Sequence, residues 1–407
     1  MMLVGLLAAV TVLGASDAPT RLAIVAGHNR GAEGQKPLRY AEADAAQVKR
    51  ALVEVASVAE RDVKLVKAPT LAQLDAAFAW AKGRAAEVHA APGKKVVLYV
   101  YVSAHGHEGR GLELGPEVLE WERLKAHIRA TGADAKVTII DSCRSSGLLK
   151  AGGRAADDFA LQAEDRLTVE GEAWITSSAE DEPSVEAGAW RGSVFTHHLI
   201  AGLRGAADRS ADRRVSLEEL YRYAFERTSA GESGQHPGYA FELKGYGELD
   251  VSDLSKAAAQ VTLPASIDAV TITDQGTGDS LAEARRPVGR VLGFGVGRVD
   301  VRLLRGADGF ATRLMLAAGD RVTLDEAKLE RVAPNTALLV RLRATCWEVT
   351  VPRPSPRLDA LKERLQGRCE QPVRATLTHE NGLLKLTAGE RVLEAADDDA
   401  LVGAALR

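Results

Sequence analysis

Two residues in this sequence have the type and the setting for nucleophilic chemistry. Cys143 stands in VTIIDSCRSSG and His105 in VVLYVYVSAHGHEG, 38 residues apart, each just beyond an apolar run that reads as a buried strand. A protonated thiol is a weak nucleophile. An imidazole that takes its proton or stabilises the thiolate makes it competent at neutral pH, so the two side chains must converge in space. His107, two residues from His105, is the competing base. The only other cysteines are Cys346 and Cys369, a disulfide candidate in an oxidising compartment. Closing their loop of about 20 residues would contribute about 3 kcal/mol in the chain-entropy model. Cys143 is then the odd cysteine, either buried and inert or reactive.

The surrounding pattern supplies elements able to bring the pair together. Arg21 to Ala26, Val63 to Val66, Val96 to Val102, Val137 to Ile140 and Ala173 to Ser177 read as strands. Helical spacing over Leu38 to Ala56, Leu71 to Arg84, Trp121 to Ala130 and Val194 to Leu203 alternates with them. VVLYVYV is nearly all apolar and β-rich, as suits a strand buried on both faces of a parallel sheet. The expectation is an α/β fold with helices on both sides. In such sheets side chains converge at the carboxyl ends of the strands. One helix fits between His105 and Cys143, so a right-handed crossover would put both at the same edge.

Four segments, AIVAGHNRG followed by LRYAEADA, SAHGHEG, DSCRSSG and GSVFTHHLIAGL, resemble in order the caspase-like cysteine peptidases, nearer to metacaspases. The resemblance covers roughly residues 21–250. It implies a mostly parallel sheet sandwiched by helices, His105 as general base and Cys143 as the nucleophile that forms a thioester. It places the N–H groups of Gly106 and Cys143 in an oxyanion hole. His105 is preferred over His107 because it precedes Gly106 in the family's His-Gly pattern. Asp141 stands where caspases carry Gln, as in metacaspases. Asp44, Ser103 and Asp141 would line the primary specificity pocket, whose two acids favour cleavage after Arg or Lys. The plainer readings are a solvated helix position for Asp44 and a turn cap for Asp141.

The rest of the chain frames this unit. Residues 1–18 read as a signal peptide without a basic n-region, or else as an apolar N-terminal strand or helix; the first reading implies a secreted or periplasmic protein. The apolar run is too short to span a membrane. Residues 19–254 form the catalytic unit, 255–333 a β-sandwich-like accessory domain and 334–407 a small α+β unit. The segment 148–168, with Lys150, Arg154 and Arg166, reads as a surface loop offering a self-cleavage site, or equally as an uncut loop. Asp208 to Glu219 imitates a calcium loop, but Arg213 occupies the position that needs Gly, so calcium activation is unsupported. Ser216 with Glu219 reads instead as a helix start. GFGVG at 293–297 lacks a following helix and reads as a turn. No cofactor or metal is expected, and His197 and His198 read as surface or packing residues of an amphipathic helix. With 46% hydrophobic and 27% charged residues the 407-residue chain is globular. Its net charge of −4 gives no footprint for nucleic acid. The expected partner is a protein or peptide substrate, and no motif specifies an oligomeric state. The rival reading is a catalytically silent binding or adhesion module on the same sheet. An esterase would need a G-x-S-x-G elbow that is missing.

Overall fold

The apolar runs divide their side chains between two faces, as extended backbone requires. In β1 (Thr20–Gly27), Leu22, Ile24 and Ala26 point to one buried cluster while Ala23 and Val25 point to another. The structure is a computed structural model. It describes residues 18–107, 110–143, 145, 148, 170–179, 182, 184–187, 190–230, 235–244, 248–285, 289–306, 308–333, 347–365, 373–380, 382–389, 391–395 and 401.

Six strands build the central sheet: β1, β2 (Val63–Lys67), β3 (Val96–Ser103), β4 (Ala135–Asp141), β5 (Glu170–Thr176) and β6 (Gly238–Lys244). Their spatial order is β6-β5-β4-β3-β1-β2. All neighbours run parallel except β6, which pairs antiparallel with β5. The register sets Ser103 against Asp141, so the loops holding His105 and Cys143 leave the sheet side by side. Every residue of β3 is buried, in line with its unbroken apolar pattern.

Helix α1 (Ala41–Val55) packs Val48, Leu52 and Val55 on one face of the sheet; α2 (Leu71–His89) and α3 (Trp121–Ala130) cover the other with Leu74, Phe78, Leu124 and Ile128. Burying each such side chain is worth about 1.5–3 kcal/mol. Leu38 N–H bonds to Asn29 O, and Arg39 and Tyr40 N–H to Glu186, so α1 begins at Ala41, three residues beyond the start expected from spacing. Its N-terminus is capped from outside: the Asn29 side chain accepts from Glu42 N–H, and the Glu186 carboxylate accepts from Arg39 and Tyr40 N–H. A three-stranded hairpin unit, His105–His107, Gly111–Leu114 and Glu117–Glu120, follows β3 and was not legible as such in the sequence.

Helix α4 (Val194–Ala201) differs from the amphipathic expectation, since all eight of its residues are buried. The strand Ser280–Arg285 lies over its outer face, so no side of it meets water. That strand belongs to a five-stranded sheet, with Ala269–Asp274, Gly297–Arg305, Asp308–Leu316 and Glu330–Val332, beside a three-stranded one built on Ala259–Thr262. The turn after Val291–Phe294 leads into another strand, as the missing helix after GFGVG implied. Side chains of these sheets, among them Ile272, Leu292 and Phe294, share one buried cluster with Val55, Leu203 and Leu254. At Gly205 (φ 112°) the backbone adopts a left-handed conformation and passes so close to Val291 O that a Cβ would collide with it. Nearby the fully buried Arg204 pairs with Glu54 at 2.7 Å and donates to Gly293 O at 3.2 Å.

Helix α5 (Leu217–Ser229) starts with the Ser216–Glu219 capping box read from the sequence. In the calcium-like loop before it, Asp208 accepts from Arg213 N–H and Glu219 from Arg209 and Ser210 N–H, so these oxygens serve the backbone. A separate small core around Val349, Leu361, Leu377 and Leu386 joins α6 (Pro356–Leu365) to a four-stranded sheet. Among the described residues no helix is long and apolar enough to cross a membrane. The signal-like residues 1–17, most of the 148–168 loop, Cys346 and Cys369 lie outside the described residues.

Candidate active site

Four pieces of backbone meet at the carboxyl edge of the sheet. They are the approach to α1, the end of β3, the end of β4 and the segment before α4. Between them lies a small pocket, open to solvent, lined by Asp44, Ser103, His105, Asp141, Cys143 and Glu186 among others. Every side chain selected from the sequence for catalysis or specificity therefore faces one cavity. Gly106 stands beside it, where its main chain passes so close to the Cys143 carbonyl that a Cβ would collide with that oxygen.

His105 Nε2 lies 3.1 Å from Lys36 O. A carbonyl can only accept, so Nε2 carries a proton and, in the neutral ring, the lone pair is on Nδ1. His107 is engaged elsewhere: its Nδ1 lies 3.3 Å from the buried Glu113. His28 is also near, and burial lowers its pKa. The half-buried Cys143 sulfur accepts a hydrogen bond from Ser184 N–H at 3.2 Å.

The two acids are buried, so Asp44 is not a solvated helix position. Asp141, 3% exposed, accepts from Ser184 Oγ at 2.7 Å and Thr196 Oγ1 at 2.6 Å. Since Thr196 spends its proton there, Tyr101 OH must be the donor in its 2.7 Å contact with Thr196. Asp44, 2% exposed, accepts from Ser193 N–H at 3.0 Å. Burial, and then the charge of Asp141, push the Asp44 carboxyl well above its usual range; the Ser193 N–H offsets this only in part.

Ser184, Glu186, Ser193 and Thr196 were missed as site residues. Ser193 and Thr196 lie inside the GSVFTHH segment and could have been singled out from it. Ser184 and Glu186 sit in a stretch without periodicity, and nothing local marks them. Among the described residues no group of three or more His, Cys, Asp or Glu side chains is arranged to hold a metal ion.

The family model described as "Caspase domain" matches residues 20–245, more than half of the chain. The chain belongs to the caspase-domain family. The caspase domain thus comprises the whole central sheet, from β1 to β6, and all four sides of the pocket. Membership implies cysteine-peptidase chemistry on protein substrates. Among solved structures the chain is similar to caspase-1 from Spodoptera frugiperda, at 15% identity over 58% of this chain and 90% of that one, with a TM-score of 0.41. A second, pro-sf-caspase-1, matches at 14% identity over 57% and 90%, with a TM-score of 0.38. A search of curated proteins gave no match.

Proposed function

We propose that this caspase-domain protein is a metacaspase-like endopeptidase that cuts after Arg or Lys with a Cys143–His105 dyad. The observation that carries the reading is the pairing of two buried carboxylates, Asp44 and Asp141, in the same pocket as the thiol and the imidazole. A guanidinium or ammonium entering there neutralises charge that the protein holds at a cost, whereas an acidic side chain adds to it. Glu186 lines the same pocket and adds a third acid.

In the reaction, His105 Nδ1 takes the thiol proton while Lys36 O holds the opposite nitrogen, which fixes the tautomer and aims the ring. Cys143 sulfur attacks the carbonyl carbon, and the negative charge moves to its oxygen. Gly106 and Cys143 N–H stabilise that oxyanion. The intermediate collapses, the C–N bond breaks, and His105 returns its proton to the leaving amine. Water, deprotonated by His105, then opens the thioester, releasing the acid and restoring the thiol. The apolar start of the chain and the basic residues of 148–168 extend the proposal to an exported, self-processing enzyme.

A series of peptides differing only at the residue before the cut tests the specificity. Arg and Lys peptides are expected to exceed the Asp peptide by about a thousandfold in kcat/KM; preference for Asp would overturn the pocket assignment. Gly106→Ala forces two main chains apart at the oxyanion position, and a fall of about a hundredfold in kcat is expected, with KM nearly unchanged. Steady-state kinetics on the folded variant check it.

A further inference from the structure

The segment that closes the pocket is held from behind by the β-sandwich. Among the described residues of 184–193 the pairing is a two-residue ladder, Glu186–Ala187 against Gly192–Ser193, too short to hold its own shape. Trp190 Nε1–H donates to Glu283 Oε2 at 3.3 Å, and Arg191 donates to Thr277 O at 2.8 Å. The Trp190 ring also stacks on His197, with centroids 4.5 Å apart and planes inclined by 14°.

Glu283, on the sandwich strand Ser280–Arg285, is 1% exposed. It accepts from His197 Nε2 at 3.3 Å and lies 3.5 Å from Arg227 and 4.0 Å from Arg285. Burial opposes its ionisation, but the His197 hydrogen bond and the surrounding cations outweigh that and hold its carboxyl far below the usual range. A buried charge so surrounded has one low-energy position, and Trp190 is tied to it.

We propose that Glu283 and Trp190 are positioning residues for the substrate pocket: a carboxylate of the β-sandwich fixes the segment that presents Ser184, Glu186 and Ser193. Ser184 in turn supplies the N–H on the Cys143 sulfur and the hydroxyl on Asp141, and Ser193 supplies the N–H on Asp44. The sandwich is then part of the substrate site. This rests on the peptidase reading for its kinetic consequence, though not for its structural one.

Two variants and two readouts test it. Glu283→Gln removes a buried charge and endangers the fold. Trp190→Phe keeps an aromatic ring against His197 while removing the indole donor and part of the ring's volume, so the proposal stays testable if the first variant is lost. Amide hydrogen exchange across 184–193 is expected to speed up by about tenfold, and KM for an Arg peptide to rise by about tenfold with kcat per titrated thiol nearly constant. A purely structural role would instead lower the titrated fraction and leave KM unchanged, and that result, or unaltered exchange in 184–193, overturns the proposal. Exchange is read on the folded chain whether or not it cleaves peptides. A wild type without peptidase activity would therefore sink the proposed function and still leave the exchange result to decide the positioning role.

Discussion

Replacing Cys143 by alanine is expected to lower kcat/KM on an Arg peptide by about ten-thousandfold, because among the described residues Cys143 supplies the one thiol lining the pocket. His105→Ala is expected to cost a comparable factor. The double variant should be scarcely worse than either single one, since a nucleophile and its base act as a unit. Circular dichroism and melting curves of the folded variants separate lost chemistry from lost structure. Alkylation of the wild-type thiol by iodoacetamide should abolish turnover in step with label uptake. Full activity in Cys143→Ala would point to a different nucleophile and end the dyad assignment.

Asp44→Asn is expected to raise KM for Arg peptides by about a hundredfold, because the proposed pocket then lacks a carboxyl that an entering guanidinium would draw into its charged form. The same substitution should make the protein more stable at neutral pH. The folded-state pKa of Asp44 is raised, so its contribution to stability is fully present below the unfolded-state pKa and is lost as pH climbs through the folded one. The variant has no such group to ionise. Its melting temperature should exceed that of wild type by a margin that grows with pH, and thermal melts across a pH series measure this. In wild type, KM for Arg peptides should fall as pH rises and Asp44 gains its charge. A KM independent of both Asp44 and pH would show that the substrate side chain binds elsewhere.

The parts of this molecule legible in the sequence were those set by local pattern. VVLYVYVS reads as a strand wet on neither face, and Ser216 with Glu219 reads better as a helix start than as the end of a calcium loop. Cys143 and His105 were visible because chemistry-bearing residues at strand ends are unusual in type. Glu186 and Glu283 were not visible, since each acts on groups far away in the chain: Glu186 on Arg39 and Tyr40, Glu283 on Trp190 and His197. A carboxylate does not reveal from its neighbours in sequence which distant N–H it will meet. The reading of α4 as amphipathic failed for the same reason, because what makes its outer face dry is a strand about eighty residues later.

The shared apolar cluster also bears on when the protein can become active as it is made. A nascent chain that has emerged only to residue 254 already contains Cys143, His105, Asp44 and Asp141. Val55, Leu203 and Leu254 would still lack Leu292 and Phe294 as packing partners, and Glu283 would not yet exist to hold Trp190. The central sheet is therefore incomplete at its covered face until the strands up to Leu324 have followed. Order of synthesis thus sets order of assembly: the segment around Trp190 gains its anchor only once the strand Ser280–Arg285 has been made.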